Sequence, residues 1–118
     1  MRYMLLLYSA EDVGPQPTDP DFGDHMQEWF TFSAELEASG AMLGGEALQP
    51  AATATSVQVR DGEALTTDGP FAETKEVLGG FYMIDVADLD EARTWAAKIP
   101  SAPFGTVEIR PIMELPDA

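Results

Sequence analysis

The chain contains no cysteine and a single histidine, His25. The first absence excludes disulfides and thiolate chemistry. The second leaves any zinc site to be built mostly from carboxylates, and Asp24, His25 and Glu28 match no strong metal-ligand spacing, so no metal is expected. Bases are scarce: six Lys and Arg stand against 21 Asp and Glu, a net charge of −15. Phosphate backbones and anionic headgroups are gripped by clustered cations, so neither direct nucleic-acid binding nor a membrane surface is expected. No apolar run approaches the ~20 residues of a membrane helix. The stretch Met1-Arg2-Tyr3-Met4-Leu5-Leu6-Leu7-Tyr8 meets Glu11 and Asp12 almost at once, so it reads as a strand rather than a secretory leader. The cytoplasm is the expected location. A Gly-rich phosphate loop, a dinucleotide fingerprint and a G-x-S-x-G elbow are all missing, and no cofactor is expected.

What remains suffices for a packed core. The 118 residues are 45% apolar, and a chain of that length forms one domain, 1–118, burying roughly two-thirds of its unfolded surface. Residues 2–8 read as a strand apolar on both faces, Tyr3, Leu5 and Leu7 against Met4, Leu6 and Tyr8. Residues 9–19, with Gly14, Pro15 and Pro17, form a loop. A helix follows, capped by Asp19 with Pro20 at its first position. Its apolar face holds Phe22, Met26, Trp29, Phe30 and Leu36, and Gly40 stops it. A strand weakened by Gly44 and Gly45 spans 41–48. Strands 55–60 and 63–67 flank the hairpin turn Asp61-Gly62. Residues 68–80 form a loop and 81–86 a strand. Asp88 and Glu91 make a capping box for a helix with Leu89, Ala92, Trp95, Ala96 and Ile99 inside, ended by Pro100. The last strand spans 106–114, and Pro116 to Ala118 form a frayed tail.

The order β-α-β, hairpin, β-α-β predicts an α+β fold, a ferredoxin-like split βαβ with an inserted β-hairpin. Both helices then cover one sheet face. The other face also carries apolar side chains, and a second copy of the same sheet is the simplest cover. A homodimer with sheets face to face is therefore expected.

The stretch Thr67-Asp68-Gly69-Pro70-Phe71-Ala72-Glu73-Thr74-Lys75-Glu76, with Leu78-Gly79-Gly80-Phe81 and Arg110-Pro111-Ile112, resembles the DGPF branch of the YCII-related family over nearly the whole chain. The resemblance implies a dimeric α/β barrel with a pocket between sheet and helices. It implies a His–Asp pair as catalytic machinery in some members, dehalogenation of a chlorinated aromatic in one branch, and a link to extracytoplasmic-function sigma factors.

In the motif itself, Asp68-Gly69-Pro70 is turn chemistry, with Asp68 bonding its own backbone two residues on and Phe71 anchored in the core. Glu73, Lys75 and Glu76 read either as a solvated charge cluster or as acid, base and cationic anchor for a ligand. Gly79-Gly80 reads either as a bulge at the strand start or as a place where a ligand approaches the backbone. His25 lies at the border of the helix's apolar face, as a general base or a surface histidine. Asp68 is the partner to test for it. Arg110 needs a carboxylate if it faces inward, Glu46 or Glu108, or it grips an anionic ligand group. Tyr82 is core or a hydrogen-bond donor in the pocket; Trp29 and Trp95 are core. Two functions follow. One is a small cofactor-independent enzyme on a small organic molecule, with His25, Asp68 and Glu73 catalytic and Lys75, Glu76, Tyr82 and Arg110 binding. The other is a non-catalytic module that binds a metabolite or docks on a sigma-factor-related partner.

Overall fold

A computed structural model of the chain describes residues 1–116; Asp117 and Ala118, most of the expected tail, lie outside the described residues. The elements are β1 Arg2–Ser9, α1 Phe22–Ala38, β2 Met42–Ala47, a 3-10 turn Ala51–Thr53, β3 Thr55–Arg60, β4 Glu63–Asp68, β5 Val77–Asp85, α2 Leu89–Ala97 and β6 Thr106–Pro111. Strands β2-β5-β1-β6 form, in that order, an antiparallel sheet, and β3 pairs with β4 as a separate ribbon. This is the expected split βαβ plan with its inserted hairpin. Among the described residues no helix is long and apolar enough to cross a membrane.

Strand periodicity decides the core. Tyr3, Leu5 and Leu7 of β1 are buried with Ile84 and Val86 beneath Phe32 and Leu36 of α1, and Ala92, Ala96 and Ile99 of the α2 segment. Met4, Leu6 and Tyr8 point the other way and are only half-buried, because both helices lie on one face. Phe81 and Met83 pair with Leu6 and Met4 on that bare face. Both apolar sets of β1 are thus present, but a single chain covers one of them.

Several boundaries differ from the sequence reading. Helix α1 starts at Phe22, and Asp19 does not cap it: the Asp19 carboxylate accepts from the backbone N–H of Gln16 at 2.7 Å, in the turn before the helix. The inward face of α1 runs through His25, Trp29, Phe32 and Leu36, the i, i+4, i+7, i+11 series, while Phe30 is 62% exposed and Met26 borders solvent. Strand β5 begins at Val77 rather than 81. Its pairing with β1 slips between Leu7↔Gly80 and Tyr8↔Leu78, which leaves Gly79 as the extra residue of a bulge. Strand β6 stops at Pro111, not 114.

Local chemistry places the turns as read. Asp61 and Gly62 both take positive φ, 51° and 78°, as a two-residue hairpin turn with a right-handed twist requires. Gly40 ends α1 at φ 80°. Asp88 Oδ1 accepts from the Glu91 N–H at 2.9 Å as the cap of α2, while Glu91 Oε2 accepts from the N–H of Ala87, one residue before the cap, at 2.9 Å.

Candidate functional site

Two cavities adjoin along α1, with Trp29 and Gly79 in the walls of both. The first, about 300 Å³, has a mixed polar and apolar lining and lies where the 9–17 loop crosses the end of the sheet. Gln16 holds that loop by donating from its amide to the carbonyls of Glu11, Val13 and Gly14 at 3.2–3.3 Å. Phe104 packs against the same loop. A Cβ on Gly14, at φ 75°, would stand 2.5 Å from the Phe104 ring, so only glycine lets loop and ring meet.

His25 faces this cleft, with only 13% of its side chain exposed. Its Nε2 accepts a hydrogen bond from Trp29 Nε1 at 3.1 Å. An accepting Nε2 assigns the ring proton of the neutral imidazole to Nδ1, which lies 3.6 Å from Glu28 Oε2. Phe22, Trp29 and Phe104 surround the ring at centroid distances of 6.3, 6.1 and 6.0 Å. The i, i+4 step from His25 to Trp29 on one helix makes the pair possible.

The second cavity, about 370 Å³, is apolar and opens beside β2 between Met26, Phe30, Phe81 and Tyr82. Its polar lining comprises the Ser33–Tyr82 hydroxyl pair, 2.8 Å apart, and Glu46. Gly45 lies opposite Tyr82. A Cβ there would meet the Phe81 carbonyl and the Tyr82 ring at 2.8 Å each, so glycine is what lets the tyrosine lie against β2. Gly79 lines both cavities, and the slipped register bears out the bulge reading of Gly79-Gly80. A Cβ on Gly80 would stand 2.8 Å from the Glu46 carbonyl, so the close approach at Gly80 is that of strand β2.

The structure brings His25 and Tyr82 to neighbouring cavities and leaves the other candidates elsewhere. Asp68 ends β4 opposite Thr55 and lines neither cavity, so His25 and Asp68 are not brought together within one chain. The turn after Asp68 is held instead by Gly69 N–H donating to the Ala54 carbonyl at 2.7 Å and Ser56 Oγ donating to the Gly69 carbonyl at 2.8 Å. Phe71 is not a core anchor: it is 80% exposed. Glu73 and Lys75 are exposed in an irregular loop and, among the described residues, form no ion pair. Glu76 accepts from Thr106 Oγ1 at 2.9 Å. Arg110 lies on the bare sheet face opposite Met4 and pairs with Glu108, not Glu46. Hydrogen bonding and charge from Glu108 push the Arg110 guanidinium above its ordinary range.

Trp29 is the residue the sequence reading undervalued. Its position in an apolar stripe reads as core, and it does pack against the core. Its N–H, however, goes to the lone histidine four residues earlier, a spacing visible in the sequence. Gln16, Ser33 and Phe104 carry no comparable signal, since tertiary packing alone brings them to the cavities.

The sequence profile of the YCII-related domain matches residues 1–116. An uncharacterized protein of Rhizobium meliloti (strain 1021) is 34% identical over 114 residues, covering 95% of this chain and 92% of that protein. Among solved structures, the 5-chloro-2-hydroxyhydroquinone dehydrochlorinase TftG of Burkholderia phenoliruptrix AC1100, in complex with 2,5-dihydroxybenzoquinone, superposes with a TM-score of 0.52 at 13% identity, over 96% of this chain and 94% of that one. At that identity the likeness is one of fold, the ferredoxin-like dimeric α/β barrel. With the profile matched over nearly its whole length, the chain belongs to the YCII-related family.

Proposed function

We propose that this YCII-related protein is a small cofactor-independent enzyme that acts, as a homodimer in the cytoplasm, on a single-ring organic molecule held in the cavity pair between α1 and the sheet. The observation that carries this reading is His25, sheltered in a cleft of mixed polarity and hydrogen-bonded to the wall it shares with an apolar cavity. An apolar chamber beside a few convergent polar groups is what a small-molecule site requires. His25 is the proton acceptor: a substrate hydroxyl that replaces the Trp29 N–H at Nε2 hands its proton to the ring. The Tyr82 and Ser33 hydroxyls orient a substrate oxygen from the apolar side. Asp68, Glu73, Lys75, Glu76 and Arg110 line neither cavity, so the chemistry is assigned without them. The name and ligand of TftG, a dehydrochlorinase solved with a dihydroxybenzoquinone, support hydroxylated rings as the class to test first.

Calorimetric titration of 2,5-dihydroxybenzoquinone into the protein, and chloride release from chlorinated hydroxyhydroquinones, test the proposal. Binding that weakens in Tyr82→Phe, with chloride release abolished in His25→Ala, is the expected result. Release that survives His25→Ala sinks the assignment of the base. Binding without turnover of any halogenated or hydroxylated ring favours a metabolite-binding module. The net charge of −15 supports one further alternative, docking on a basic sigma-factor-related protein, which loses affinity steeply as salt screens it.

A further inference from the structure

We infer that Ser101, with Ser9 beside it, is a second oxygen-binding point in the His25 cleft, so that the ring this site takes carries at least two oxygen substituents. The inference rests on the small-molecule reading above and adds to it the residues that hold the far side of the ring. Ser101 is 9% exposed, and among the described residues it is the one buried polar side chain. A buried hydroxyl ordinarily finds a partner inside the protein. The Ser101 hydroxyl makes no hydrogen bond among the described residues. Every fully enclosed side-chain polar atom among them does have a partner. The Ser101 Oγ therefore keeps an opening, and the cavity that Ser101 lines is the His25 cleft.

Local sequence puts the hydroxyl there. Ile99, 1% exposed, pins the turn that follows α2 to the core. Ala102 N–H donates to the Ile99 carbonyl at 2.9 Å, and the N–H groups of Phe104 and Gly105 donate to the Ser101 carbonyl at 3.2 and 2.8 Å. The Ser101 backbone is thus held within a closed turn before any ligand arrives, as a binding group requires. Gly105 lets this turn lie against the end of β1: a Cβ there would overlap the Tyr8 carbonyl and stand 3.0 Å from Ser9 Cβ. Ser9 continues the inward series Tyr3, Leu5, Leu7 of β1 and lines the same cleft. Its hydroxyl, too, makes no hydrogen bond among the described residues. Two unpaired hydroxyls thus lie at the sheet end of the cleft. His25 lies in the α1 wall, with the Phe104 ring 6.0 Å from its own. A serine hydroxyl both donates and accepts, so it takes a ring hydroxyl or a ring carbonyl. One ring oxygen gives its proton toward His25 Nε2, and a second, on another ring carbon, meets Ser101. A site built around such a group rejects the ligand that lacks it, because the buried serine is then left unpaired.

Hydroquinone and phenol, which differ by one ring hydroxyl, test the inference by calorimetric titration. The native chain is expected to bind hydroquinone roughly tenfold more tightly than phenol. Ser101→Ala removes most of that preference and leaves phenol affinity unchanged. Thermal unfolding without ligand gives a second reading. Ser101→Ala keeps or raises the native midpoint, because no internal hydrogen bond is lost with the hydroxyl. A midpoint lowered by several degrees marks a structural hydroxyl and overturns the inference. No native preference for hydroquinone, or one that survives Ser101→Ala, overturns it too and leaves the His25 ring site standing. A native chain that binds neither ring overturns both.

Discussion

Trp29→Phe separates a histidine held by its neighbour from one that merely lies near it. The change keeps an aromatic ring between the cavities and removes the donor that stands 3.1 Å from His25 Nε2. Losing one partly buried hydrogen bond costs about 1 kcal/mol, and the smaller ring forfeits some packing, so unfolding free energy falls by about 1–2 kcal/mol. The sharper effect is on the proton. A bond worth about 1 kcal/mol biases the neutral imidazole about fivefold toward carrying its proton on Nδ1. Nitrogen-detected NMR reads this directly, because His25 is the only histidine. The native spectrum shows Nδ1–H as the major form, and Trp29→Phe shifts population toward Nε2–H. Trp95→Phe leaves the tautomer alone, since Trp95 packs against Phe32 and does not touch His25. A native His25 protonated on Nε2, or a tautomer ratio indifferent to Trp29→Phe, refutes the hydrogen bond and the role built on it.

Gly14→Ala forces a left-handed backbone onto alanine and drives its methyl into Phe104; it lowers stability by about 1–3 kcal/mol in urea titrations and weakens ligand binding in the His25 cleft. Leu5→Ala empties a fully buried site under both helices and costs about 2–5 kcal/mol by thermal or denaturant unfolding. Asp88→Ala removes the cap of α2, with a loss of about 1 kcal/mol by the same assay. Glu114 accepts two bonds from the Arg2 guanidinium, at 2.7 Å each, which hold its carboxyl below the usual range. A depressed carboxyl pKa makes the contact effective above the unfolded value and releases it as pH falls through the folded one. An NMR titration therefore gives Glu114 a lower midpoint in the native chain than in Arg2→Ala.

Short-range chemistry is what the sequence by itself determined. Asp61-Gly62 needs only two residues to accept positive φ, Gly40 only one, and the Asp88–Glu91 cap closes within a single turn, so each is legible without knowing the fold. The alternation in β1 and the order of elements carry the split βαβ plan for the same reason: both are periodicities along the chain. Boundaries shifted where tertiary partners outbid local preference. Asp19 serves a loop instead of a helix, and β5 begins four residues early because β1 offers Tyr8 and Ser9 for pairing. The site was legible in part. His25 is conspicuous as the lone histidine, and Tyr82 as a polar group in an apolar strand. Only the tertiary structure decided that the His25–Trp29 pair faces a cleft, that Ser33 meets Tyr82, and that Asp68 lies away from both cavities. It also turned Phe71 outward. The D-G-P-F turn fixes the backbone at that point, but the direction of a side chain relative to a distant core depends on where the ribbon leaves the sheet, and no local pattern encodes that.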